Sequence, residues 1–134
     1  MIRFYANQAG YLPKGRKIAV LAQENRADEM EKMKDKKVSL WNEKGEQTAV
    51  KQAVYAGVDE SAEDKVWHID FSDLTEEGTV TFQDEEGAVL GSCTISHKAY
   101  HTLNQTLCKA LYFQRCGMAL EETFAGKFRR CTCH

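Results

Sequence analysis

"VWHIDFSDLTEEGTVTFQ", residues 66–83, alternates apolar and polar side chains from Trp67 to Phe71. It breaks at Ser-Asp and at Gly78, then resumes as a second β-rich run. Successive side chains of a strand point to opposite faces. Trp67, Ile69 and Phe71 therefore share one face, and Val66, His68 and Asp70 share the other. The first set belongs in a core, and His68 belongs on the surface. Thr79 to Phe82 is the next strand.

The same signature extends in both directions. Ile2 to Tyr5, Lys17 to Ala22, Val38 to Trp41, Ala49 to Tyr55 and Ala88 to Ile95 are short, β-rich and bounded by Gly, Pro, Asn or charge. Asn42 to Gly45 and Asp84 to Gly87 each place a glycine where a hairpin needs a positive φ. Residues 27–36 are expected to form a brief helix or polar loop outside the sheets. About seven strands with turn signals and no regular helical interludes predict a mostly β domain over residues 1–95, an immunoglobulin-like antiparallel β-sandwich.

Beyond it the period changes. Tyr100, Leu103, Leu107, Ala110 and Leu111 recur at spacings of three and four, as on one face of a helix. Ser96 is the expected N-cap and Gly117 the expected stop. Residues 96–134 thus form a second segment, whose apolar stripe wants more protein to pack against.

Size and charge bound the function. A chain of 134 residues holds one domain, or one with an attached piece. Its net charge of -2 gives phosphates no basic face, which argues against nucleic acid. No run approaches the ~18 apolar residues of a membrane span, so no membrane partner is expected. The chain opens directly into patterned sequence with no leader visible, and five cysteines make no neat disulfide framework. A cytoplasmic protein with reduced thiols is expected, although a secreted chain whose leader had been removed would read the same way.

"NQAGYLPKGRKIAVL", residues 7–21, resembles the Asn-Gln-x-Gly-Tyr-x-Pro opening of the immunoglobulin-like domain that precedes the catalytic domain in many family 9 glycoside hydrolases, the cellulases and their relatives. Residues 66–83 are similar to that domain's later segment. "ALYFQRCG", residues 110–117, resembles the first helix of the catalytic domain with its Gln-Arg-Cys-Gly signature, and Cys133-His134 falls where the family carries a Cys-His pair. The resemblance covers essentially the whole chain, in the family's order and spacing.

It implies that residues 96–134 are the first helix and loop of a truncated all-α catalytic barrel, and that the rest of that domain is the module's natural partner. In the family the catalytic base lies in an Asp-Ala-Gly-Asp-like motif downstream of the Cys-His pair, and the acid is a glutamate near the far end. Neither is in this sequence, so no catalytic residue carries over. The parent is expected to hydrolyse β-1,4-glucan or cello-oligosaccharides by inversion, with this module stabilising it.

Inverting hydrolysis needs two carboxyl groups about 6.5–9.5 Å apart, one protonated and one ionised. Asp59/Glu60, Glu63/Asp64, Asp84 to Glu86 and Glu121/Glu122 lie in hydrophilic stretches, where solvent is expected to keep every member ionised. Thiolate and imidazole suit tetrahedral zinc, and a closed structural site has four such ligands. Some family members carry a structural zinc here. By resemblance Cys116, Cys133 and His134 are candidate ligands of an incomplete site, and the fourth, a histidine, comes from downstream in the family. Cys131 is an alternative.

Cys93 and Cys108 read as small core hydrophobes. His97 and His101 lie one helical turn apart but have no predicted acidic or thiol partner. Trp41 with Tyr55 is the aromatic pair on which a stand-alone carbohydrate-binding module would stack sugar rings; core and hairpin packing is the plainer role, and direct carbohydrate binding is not expected. The helix at 97–116 is expected to pair with its copy in a homodimer, covering its stripe.

Overall fold

The computed structural model describes residues 1–25 and 35–133. The helix or loop expected over 27–36 falls largely outside them. Seven strands follow in order: β1 (Ile2–Tyr5), β2 (Ile18–Glu24), β3 (Lys36–Trp41), β4 (Gln47–Asp59), β5 (Asp64–Asp70), β6 (Gly78–Gln83) and β7 (Val89–Ile95). Each pairs antiparallel with its neighbours, and the hydrogen-bonded order is β1-β2-β5-β4-β3-β6-β7. This single ladder folds over so that its two ends approach and enclose one core, a barrel-like sandwich.

Alternation decides what goes inside. Trp67, Ile69 and Phe71 are fully buried, while His68 and Asp70 are exposed. Leu21, Val38, Leu40, Val80, Phe82, Cys93 and Ile95 complete the same core from the other strands. Each large apolar side chain taken out of water contributes about 1.5–3 kcal/mol, so the sheet is held mainly by this face. The predicted hairpin glycines are both in the left-handed region, Gly45 at φ 75° and Gly87 at φ 84°.

The chain divides into two compact units, Met1–Ala99 and Tyr100–His134. Ser96 belongs to the first. Its N–H donates to Tyr11 O at 2.9 Å, and its Oγ accepts from Lys98 N at 3.1 Å. Ser96 is therefore no helix cap. The second unit opens with α1 (His101–Phe113), shorter than predicted, with Tyr100 at its N-cap position and no side-chain cap. Gly117 has the positive φ of a stop signal (73°) but lies beyond the helix, whose C-cap is Gln114.

A short α2 (Glu122–Ala125) and a 3-10 turn (Gly126–Phe128) follow. Leu120 and Arg130 pair their backbones around them, with Leu120 N donating to Arg130 O at 2.8 Å and Arg130 N to Leu120 O at 3.1 Å. No residue of α1 is buried. Cys108 is consequently exposed, which corrects its placement in a core. Among the described residues no helix is long and apolar enough to cross a membrane.

Candidate functional site

The two stretches singled out in the first unit meet. Asn7 Oδ1 accepts from Ala9 N and Asn7 O accepts from Gly10 N, each at 3.0 Å, which turns the chain sharply. Gly10 has φ +94°, and a Cβ there would lie 2.8 Å from Thr94 O. Only glycine tolerates both constraints. The turn delivers Tyr11 beside β7, where its N–H donates to Thr94 O at 2.8 Å.

The Tyr11 ring packs edge-on against Phe71, with centroids 5.2 Å apart. Its hydroxyl donates to Ile18 O at 2.5 Å and accepts from Asn7 N at 3.0 Å. A tyrosine buried here needs these partners, so the Asn-Gln-x-Gly-Tyr motif locks a loop.

Lys17 completes the lock and was missed from sequence. It is fully buried, and its Nζ donates to the carbonyls of Pro13 (2.6 Å), Gly15 (2.9 Å) and Leu12 (3.4 Å). Its backbone N–H donates to Ser72 Oγ at 2.9 Å. A signal existed. Lys17 stands on the inward register of Ala19 and Leu21, and a lysine there has to find acceptors.

Glu43, Asp59, Asp70 and Asp73 each accept hydrogen bonds from local donors. Hydrogen bonds from Thr79 lower the pKa of Glu43, those from Ser61 lower Asp59, and those from Ser72 lower Asp70. The hydrogen bond from Lys51 lowers Asp73. All four shifts favour the charged form, the reverse of what a general acid needs. Asp64 departs from expectation: it is buried, and it pairs with the Arg3 guanidinium instead of facing solvent. His97 pairs with Glu77, Nδ1 to Oε1 2.6 Å, and it lies in the turn before α1.

Trp41 and Tyr55 do not form a platform. Trp41 is opposite Gln47 at the start of β4, whereas Tyr55 is opposite Trp67 near the far end of that strand. Eight residues of strand separate Gln47 from Tyr55, roughly 26 Å at about 3.3 Å per residue. Tyr55 also packs on the core residue Trp67, with centroids 5.5 Å apart.

In the second unit the predicted thiols are treated unequally. Cys116 and Cys131 are exposed and Cys133 is half-buried. Gly117 N donates to Cys133 O at 3.0 Å, which brings the backbone beside Cys116 to Cys133. Arg130 Nη1 donates to Cys133 Sγ at 2.6 Å, and its Nη2 donates to Arg115 O. His134 lies outside the described residues. Among those described, no three His, Cys, Asp or Glu side chains are grouped to hold a metal ion. Two sulfurs suit a soft or borderline cation, but they fall short of the four ligands of a closed zinc site.

The sequence model of the cellulase N-terminal ig-like domain matches residues 3–87. A cellodextrinase from Butyrivibrio fibrisolvens is 33% identical over 135 residues, covering 100% of this chain and 22% of that protein. A thermostable endoglucanase from Alicyclobacillus acidocaldarius superposes with a TM-score of 0.72 at 22% identity, over 98% of this chain and 22% of that one. A zinc-binding triple mutant of the family 9 endoglucanase J30 does so with a TM-score of 0.65 at 21% identity, over 92% and 21%. The chain thus spans about a fifth of the length of these relatives.

Proposed function

We propose, because this chain belongs to the cellulase N-terminal immunoglobulin-like domain family, that it is the accessory, stabilising part of a family 9 glycoside hydrolase and performs no catalysis itself. The parent hydrolyses β-1,4-glucan or cello-oligosaccharide bonds by inversion, with both catalytic carboxyl groups in the remainder of its catalytic domain. The observation that carries this is electrostatic. Among the described residues, hydrogen bonds lower the pKa values of Glu43, Asp59, Asp70 and Asp73, so none of these four is held protonated at neutral pH to protonate a leaving oxygen. The test is turnover of an aryl cellobioside by the purified chain. None is expected, and activity that survives purification and resists a contaminant control overturns the proposal.

The second unit is the opening of that catalytic domain. Its exposed leucines at 103, 107 and 111 face the rest of the barrel in the parent and a second copy of α1 in the isolated chain. Cys116, Cys133 and His134 contribute to a structural zinc site that is incomplete in this chain. The closeness of the Cys116 and Cys133 backbones supports it, and zinc analysis of the purified protein before and after chelation checks it. An odd number of cysteines supports a reducing, cytoplasmic location, which fractionation of the source cells checks.

A further inference from the structure

We draw no further inference here: the strongest candidate, the solvent-facing row of Tyr5, Val20, His68 and Val54 that runs across the outer face of β1, β2, β5 and β4, carries none, because nothing in the structure shows what covers it.

Discussion

The ring of Phe4 lies directly on the backbone of Gly91: a Cβ at position 91 would come within 2.3 Å of Phe4 Cδ1. Phe4 belongs to β1 and Gly91 to β7, the two ends of the hydrogen-bonded ladder. The ring also tilts against Phe82, with centroids 4.9 Å apart. Closure of the sandwich at this seam thus depends on a side chain filling the space that a missing Cβ leaves. Gly91→Ala should force ring and strand apart, at a cost of about 1–3 kcal/mol for overpacking. Urea denaturation followed by Trp fluorescence checks this; an unchanged midpoint would show that the seam carries no strain.

Lys17→Met tests the loop lock. Methionine keeps most of the volume but leaves the carbonyls of Pro13 and Gly15 without their buried donor. A loss of about 1–3 kcal/mol is expected, seen as a lower denaturation midpoint at constant slope. A variant as stable as the parent chain would mean that water replaces the ammonium at no cost.

Stability should fall at both ends of the pH range. Glu43, Asp59, Asp70 and Asp73 have folded pKa values below their ordinary 4.5 and 3.8. Each therefore contributes stability that is present above those values and lost as pH falls through the lower folded value. Burial pushes the Cys93 thiol from 9.0 up to about 11. The folded protein then holds a proton that the unfolded chain releases, so stability should decline as pH rises from 9.0 toward about 11. Asp70→Asn should flatten the acid arm and Cys93→Ala the alkaline one. Denaturation midpoints across pH that leave either arm unchanged would remove that group from the account.

Leu107→Glu tests the exposed stripe of α1. Leu103, Leu107 and Leu111 are 46%, 54% and 69% exposed. A twofold pair would cover identical stripes with each other, the commonest geometry of soluble homo-oligomers. Light scattering should show mass rising with concentration in the parent chain and a monomer in the variant, with Trp67 still buried in both. A parent chain that stays monomeric at high concentration, its helical signal intact, rules out the dimer.

Local patterns determined the strands, because a period of two is written into the chain itself. Val66 to Phe71 assigned its own inner and outer faces, and the two hairpin turns announced their glycines. The Asn7–Leu21 stretch and the Gln-Arg-Cys-Gly and Cys-His signatures also made the family legible without coordinates. What an isolated segment could not decide was who meets whom across long separations. Lys17 looks like a surface cation until the fold brings three carbonyls around its ammonium. Ser96 looks like a helix cap until Tyr11 claims its N–H for the sheet, and Asp64 looks solvated until β1 and β5, both paired with β2, bring Arg3 to it. Trp41 and Tyr55 look like a pair until register sets Trp41, on β3, opposite the start of β4 and Tyr55 eight residues further along it. The fork of Arg130 over Cys133 and Arg115 has no signature in its own neighbourhood, because it exists only once Leu120 and Arg130 have paired. Periodicity is a property of one segment; partnership between distant side chains is created by closing the loops between them, and only tertiary structure records which loops closed.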